Sequence, residues 1–600
     1  MSDSSHGHLP EAPGPSTPPP RGRRALSVLV PLLLAALVWW QTSLVRATTS
    51  AVFDETSYLS IALDLFHHGR LARAEDSAVA PLPVMVAYWL PARSISSDRV
   101  APPEFAHAVF QARIAQAVLV GLPLVLLPYC WMVRRRGLLA ASVVGALLVW
   151  SPNILAFSAV ATTDACFVVT SLGALAAIDA YLQHSTWRRF VVAGIVTGIA
   201  LAAKNSALFL IPVVFVALAF AACRRVPRSP GGWTRGVGGA AAHTVGFAVV
   251  ALVAAWAIYG FGMTQVLDNN WTPPASIRGP IGDVVKYVGM MRLPSPLRGI
   301  VGQLMHSRGG QPAFLMGQRS IRGWWSYFPL AFLFKSTPAE LLLAATLPCL
   351  LWFTRKNLDV PLRLLLLSLG FVGVTLVSSS LDIGIRHALI VYPMLILLAV
   401  DCASRVCARH PRAFAAVAAS LVALQCASAV STAPRYLSYF NALFTPAGQG
   451  YTRLADSNLD WGQDLPTLKK ALTSRATDRA LLAYFGAAPP LAYGIHAVPW
   501  NAPDERAVSA CRWVAISATL LDGVYLRWDP FQEFRGLTPD ARVADSLFLY
   551  DSQLVEVRRA LTRARSFIAA QPCPPGATTQ SPGDLQYGVI SPWYIRCSSQ

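Results

Sequence analysis

Two adjacent carboxylates, Asp54 and Glu55, stand shortly after the first long apolar segment of a 600-residue chain. Carboxylates so close to an apolar run are costly unless they face water, a substrate or an ion. They open an amphipathic stretch from Glu55 to Gly69, and another acid, Asp164, follows a later apolar run. Basic residues stand at the ends of further runs: Lys204, Lys335 and Arg386, the last followed by His387. An acid at a lipid–water boundary can take a proton. A cation there can hold an anion, Arg through two donors and Lys as a point charge. Each has a plainer use. Asp54 suits the N-cap of a helix over 55–69, Asp164 the cap of the next apolar helix, and the cations can snorkel from helix ends.

The segments that must position these groups are mostly apolar. The residues A, V, I, L, M, F, W, Y and C make up 54% of the chain, and only 14% is charged. The apolar residues gather in runs of roughly 18–25, enough to cross a hydrocarbon core of about 30 Å. The net charge of +19 could point to nucleic acid, but its placement argues against that. Arg21, Arg23 and Arg24, Arg134 to Arg136, Arg188 and Arg189, Arg224 and Arg225, Arg355 and Lys356, and Arg405 to Arg412 sit in short loops. Short loops between them are poor in Lys and Arg, the bias of cytoplasmic loops. The partners implied are membrane lipid and no nucleic acid. The ten cysteines show no metal spacing.

Residues 1–24 read as a disordered cytoplasmic tail rich in Pro, Ser and Gly. Eleven spans are expected, at 25–44, 106–133, 138–160, 165–182, 190–204, 207–223, 237–260, 326–352, 362–380, 387–403 and 413–431. With the N-terminus inside, every basic cluster falls on the cytoplasmic side. Loops 45–105 and 261–325 and the region 432–600 then lie outside. In the first loop, Tyr58, Ile61, Ala62, Leu65 and Phe66 share one helical face, which predicts a helix resting in the interface plane. Trp324, Trp325 and Tyr327 stand where an aromatic belt is expected. In the C-terminal region, 481–485, 513–517 and 587–590 read as strands, and 465–475 and 551–565 as helices. The fold class is thus a polytopic α-helical membrane protein, 25–431, with a C-terminal extracytoplasmic α/β domain, 432–600. Outside the cytoplasm, Cys573 and Cys597 are candidates for a disulfide. Arg113, inside the second span, calls for an acid partner.

Several motifs in order resemble the GT-C glycosyltransferases, and within them the family-39-like group of protein O-mannosyltransferases and the lipid A aminoarabinose transferase. These are Asp54-Glu55 with Tyr58 to Ala62; Ser151-Pro152 with Ala161 to Ala165; Gly198 to Lys204; Gly323 to Pro329; Lys335 to Pro338; Ile383 to His387 before Tyr392-Pro393; and Asp456 to Asp464. The resemblance covers most of residues 25–530. It implies an inverting glycosyltransferase that moves a monosaccharide from a polyprenyl-phosphate donor to a hydroxyl of a protein, lipid or glycan at the outer membrane face, in a bacterial plasma (inner) membrane. On that basis Asp54 is the expected base. Glu55 would orient it, bind sugar hydroxyls or favour the helix dipole, and Asp164 would position acceptor or sugar. Arg386, His387, Lys204 and Lys335 are expected at the donor phosphate. No cofactor is assigned, and use of a divalent cation stays open, with the metal ligands unknown. The competing reading from another class is a lipid-linked sugar transporter or flippase. Such proteins often carry inverted repeats or paired broken helices, and neither is clear in this sequence.

Overall fold

The computed structural model describes residues 21–97, 100–225, 232–267, 271–272, 279–498, 500, 502, 505–526 and 529–569. Cys573, Cys597 and the strand expected at 587–590 lie outside them. Each of the eleven expected spans is helical, but they are not eleven full-length crossings. Among the described residues eight helices are long and apolar enough to cross a membrane alone, and a bent pair makes nine. That pair, Leu138–Val149 and Pro152–Ala159, turns by 67° at Ser151-Pro152. The expected span 190–204 is Trp187–Ala203, only 17 residues long. The expected span 326–352 is broken: Tyr327–Lys335 stops at Ser336, and Pro338–Thr354 starts again. Thr337 forces the restart, because its hydroxyl accepts from Glu340 N while the Glu340 carboxylate accepts from Thr337 N.

Small residues let two helices approach closely. Gly194 and Gly198, four apart on Trp187–Ala203, face the helix Gly232–Ile258. A Cβ on Gly198 would stand 2.3 Å from the Ala251 carbonyl oxygen, and one on Gly194 2.6 Å from Val250 Cγ1. This is the small-xxx-small contact of membrane helices. Its consequence lies six residues on from Gly198, at Lys204, where the helix stops in extended backbone (φ −163°, ψ 134°).

The segment after the first span folds into helices Phe53–His68, Ala72–Asp76 and Pro81–Ser94. The first does not lie flat with one dry face. Glu55, Thr56 and Tyr58 to Leu63 are all buried, which takes in its whole circumference. The reason is the cover it receives: one apolar cluster joins Leu59, Ile61 and Tyr88 to Leu465, Leu482 and Leu549 of the C-terminal domain. Tyr327 likewise is no belt residue. It is 1% exposed, whereas Trp325 is 74% exposed.

The C-terminal domain holds a five-stranded mixed sheet. Its strands, in spatial order, are His496–Val498, Arg479–Ala483, Trp513–Ser517, Leu547–Asp551 and Ala541–Val543. The first three are parallel and the last two antiparallel to their neighbours. Helices Leu465–Thr473 and Val555–Ala569 flank it. Asp551 ends a strand; it does not begin the helix.

Candidate functional site

The chain leaves its first helix at Thr48 and reaches Phe53, where the next helix begins. The cap of that helix is not Asp54. Glu55 reaches back so that its Oε2 accepts from Val52 N at 2.8 Å, which leaves the Asp54 carboxylate uncommitted to the helix end. Asp54 instead meets Arg386: Nη1 donates to Oδ2 at 2.5 Å, with side-chain exposures of 10% for the Arg and 22% for the Asp. These residues are 332 positions apart in the chain. Tyr58, one turn on, points its hydroxyl at the same Oδ2 from 3.4 Å. Burial first, and then Asp54 and Asp164, push the Tyr58 phenol well above its ordinary range, so it stays a donor.

Asp164 stands in the first turn of Thr163–Gln183, with Thr162 at the N-cap. Lys204 Nζ donates to its Oδ1 at 2.6 Å. Arg386 and His387 both lie within electrostatic reach of Asp164. The structure therefore brings together Asp54, Asp164, Lys204, Arg386 and His387 from four separate stretches of sequence. Two nitrogens in this cluster are buried and unbonded: Arg386 Nε, a donor, and His387 Nε2, whose role is set by the tautomer. A buried donor without a partner is expensive, so the unbonded Nε of the Arg386 guanidinium suits an anion. The crevice lined by Val45, Thr49, Val52, Tyr436 and Gln463 includes none of these charged groups.

Glu55 does different work. Arg113 clasps it with Nε at 2.8 Å to Oε1 and Nη2 at 2.7 Å to Oε2. Ala161 N donates to Oε1 at 2.8 Å. Arg113 spends its other donors on Thr49 and Ser50. Both side chains are almost wholly buried. Glu55 is thus fully engaged in joining helix Phe53–His68 to the turn before Asp164, and its carboxylate is not presented beside that of Asp54. Arg113 finds the acid partner its position demanded.

Lys335 also departs from expectation. Its ammonium donates to the carbonyls of Leu437 (2.8 Å) and Asn458 (2.5 Å) and sits 4.6 Å from the Phe440 ring centroid. Two backbone carbonyls and an aromatic face hold it, apart from the Asp54–Arg386 cluster.

The segment Asp456 to Asp464, rich in acids and amides, is the brace for both catalytic candidates. Phe53 N donates to the Trp461 carbonyl at 2.9 Å, and Ser50 N to the Gln463 carbonyl at 2.8 Å. On its other side Ile385 N donates to Asn458 Oδ1 at 2.9 Å, and Ser457 Oγ to the Ile383 carbonyl at 2.7 Å. The Arg386 guanidinium lies 4.4 Å from the Trp461 ring centroid. Its acids are used internally. Asp460 accepts from Thr519 N at 2.9 Å and Asp464 from Ser546 Oγ at 2.6 Å, while Asp456 accepts from Tyr525 Oη. Burial pushes these carboxyls up, Asp456 to about 6 and Asp460 and Asp464 to about 7. Among the described residues no group of three His, Cys, Asp or Glu side chains is placed to hold a metal ion. Tyr525 was not legible as a site neighbour: the only sequence signal near it is a Gly-Val-Tyr turn, and its partner is 69 residues away.

The family model for dolichyl-phosphate-mannose-protein mannosyltransferase matches residues 105–259, the stretch that carries Arg113, Asp164 and Lys204. That match bears out the resemblance to the family-39-like group read from the sequence. Similar solved structures include ArnT from Cupriavidus metallidurans bound to undecaprenyl phosphate, at 15% identity over 88% of this chain and 98% of that one, with a TM-score of 0.45. The apo state of the same protein is similar at 16% identity and a TM-score of 0.43 over the same shares. The Archaeoglobus fulgidus oligosaccharyltransferase tethered with an acceptor peptide is similar at 13% identity over 84% of this chain and 71% of that one, with a TM-score of 0.42. No curated protein matches the sequence.

Proposed function

We propose that this multi-pass membrane protein is an inverting glycosyltransferase that takes a monosaccharide from a polyprenyl-phosphate donor and places it on an acceptor hydroxyl at the outer face of a bacterial plasma membrane. The observation that carries the reading is the Asp54–Arg386 ion pair beside Asp164–Lys204, with buried, unbonded nitrogens left over at Arg386 and His387. A phosphate is the anion that satisfies such a set, and a sugar linked to it is already activated for displacement.

The steps follow from the geometry. Before donor arrives, the Asp54 carboxylate is held by Arg386. A donor phosphate competes for Arg386 and takes the unbonded Nε and the His387 Nε2 as well. Lys204 adds positive charge from its place on Asp164. Asp54 is thereby released from its cation at the moment the donor is seated. It then accepts the proton of the acceptor hydroxyl. The acceptor oxygen bonds to the anomeric carbon as the bond from that carbon to the phosphate oxygen breaks. The electron pair leaves on the phosphate, where Arg386, His387 and Lys204 hold the growing charge. One displacement inverts the anomeric centre, and no second carboxylate nucleophile is required. Asp164 positions acceptor or sugar while anchoring Lys204. Glu55 and Arg113 fix the distance between the two acid-bearing turns. Lys335 acts on the donor only through Asn458 and the Arg386 turn.

The test is a reconstituted vesicle assay with radiolabelled undecaprenyl-phosphate sugars and a membrane extract as acceptor source. Label should move to an acceptor fraction with release of undecaprenyl phosphate. Movement of the intact labelled lipid across the bilayer, with no transfer, would instead establish the transporter.

A further inference from the structure

The donor's sugar is joined to its phosphorus through a single oxygen. Wherever Arg386 holds the phosphate, the sugar ring must lie against the groups that surround that guanidinium. Trp461 covers one of its faces. The acids within its reach are Asp54, Asp164 and Asp456. Asp456 comes from the brace, in a turn packed directly on the one that bears Arg386. Tyr525, in the turn beyond the short helix Ala518–Leu521 that follows strand Trp513–Ser517, donates its phenolic hydrogen to Asp456 Oδ2. Its ring stacks on Phe485 at 5.0 Å and 8°, and Phe485 stacks on Phe53 at 5.5 Å and 15°. Phe53 is the residue before Asp54. The two end rings of this pile are partly exposed, and the middle one is buried.

Three further observations single out this place. Tyr525 and Asp456 both sit at positive φ, +64° and +57°, a conformation that is uncommon for an L residue and, for a bulky one such as Tyr, survives only where its surroundings impose it. Phe485 and Tyr525 follow the carboxyl ends of the parallel strands Arg479–Ala483 and Trp513–Ser517, the end of such a sheet at which α/β domains bind ligands. Arg386, whose charge reaches Asp456 and Tyr525, keeps its Nε unbonded on a side chain nine-tenths buried.

We propose that Asp456, Tyr525 and the Phe53–Phe485–Tyr525 pile form the wall that recognises the donor's monosaccharide, so that the C-terminal domain reads the sugar while the membrane helices hold its lipid phosphate. This rests on the assignment of Arg386 to the phosphate. The Asp456 carboxylate, which already accepts from Tyr525 Oη and Ser457 N, offers its remaining lone pairs to sugar hydroxyls. The Tyr525 oxygen, its hydrogen committed to Asp456, accepts another. The exposed ring surface takes the apolar C–H face of the sugar.

The test is equilibrium binding to the full-length protein in nanodiscs. The probes are undecaprenyl phosphate and its mannosyl, glucosyl and 4-amino-4-deoxyarabinosyl derivatives. The wild type should bind at least one sugar-bearing probe about 10-fold or more tightly than the bare lipid, the scale of a hydrogen bond to a charged group. Asp456→Asn should erase about 10-fold of that preference. Tyr525→Phe, which keeps the ring pile, should erase roughly 2- to 10-fold. Binding of bare undecaprenyl phosphate should stay within about 2-fold in Tyr525→Phe, and stay level or tighten in Asp456→Asn, which removes an anion within reach of Arg386. Equal weakening of all probes would show a merely structural role and overturn the proposal. So would unchanged preference in both variants, or a wild type that binds no sugar-bearing probe better than the bare one. Arg386→Ala separates the two readings: if it leaves bare undecaprenyl phosphate binding unchanged, the phosphate assignment fails and the wall falls with it.

Discussion

At the scale of single residues, two neighbours in sequence have opposite duties. Asp54 has one charge partner and partial exposure, whereas Glu55 accepts from Arg113, Val52 N and Ala161 N and is fully buried. The sequence marked both as acids at a boundary. It could not separate them, because the difference is made by Arg113, 58 residues away. Breaking a buried, hydrogen-bonded pair from one side leaves a charge without compensation, at a cost of roughly 3–5 kcal/mol. Arg113→Ala should therefore lower the melting temperature sharply and cut the yield of monodisperse protein in detergent. The double variant Arg113→Ala with Glu55→Gln should recover much of the loss, since no bare carboxylate remains. A single variant that melts like the wild type would remove Glu55–Arg113 from its place as the strut of the site.

At the scale of elements, the apolar runs were easy to read and their interruptions were not. A run of hydrophobic residues specifies a helix in a membrane whatever its neighbours, because every backbone group must be satisfied within the segment. The stop at Ser336 depends on a capping box at Thr337, and the 67° bend at Ser151-Pro152 is what carries Ala161 to Glu55. The strands His496–Val498, Ala541–Val543 and Leu547–Asp551 are not read from the sequence: the first two have only three residues, and the third is an apolar run without alternation. Gly198 shows what such local detail controls. Its substitution by Ala drives a methyl into the Ala251 carbonyl, so Gly198→Ala should destabilise the protein by about 1–3 kcal/mol and, by shifting the helix end at Lys204, lower transfer as well. Gly370→Ala is the matched comparison. A Cβ there meets nothing within 4 Å, and the better helix former should leave stability level or raise it by up to about 1 kcal/mol. Equal melting curves for the two variants would contradict the close helix contact.

At the scale of the whole molecule, the C-terminal domain and the membrane helices share one boundary of buried acids. Burial raises Asp460 and Asp464 to about 7 and Asp522 to about 8, against an ordinary carboxyl value of about 3.9. The folded state therefore holds more protons than the unfolded state between those limits, and stability must fall as pH rises through them. His306 is held below its usual range by burial, which works in the opposite sense, but its contribution is complete above about pH 6.5. Above that, from about pH 7 to 8.5, the wild-type melting temperature should fall relative to that of Asp464→Asn, a difference in which the other titrating groups cancel. A difference that stays constant or grows in favour of the wild type through the window would contradict the burial of an ionisable acid at Asp464. That such a boundary exists was only half legible. The acid-rich Asp456 to Asp464 segment stood out by composition, but what its acids face is decided by Thr519, Tyr525 and Ser546, and long-range pairings of single residues leave no periodic trace.

The most direct measurement of the central claim is made on one preparation of Asp54→Asn in nanodiscs, assayed for donor binding and for transfer of radiolabel from undecaprenyl-phosphate sugar. With its carboxylate gone, the residue can no longer take the acceptor's proton, while Arg386 is left with one fewer competitor for the phosphate. Donor binding should be retained or tightened, and transfer should fall by about 100-fold or more. Transfer at the wild-type rate would mean that the proton leaves by another route, and the account of this ion pair as the seat of the chemistry would be wrong.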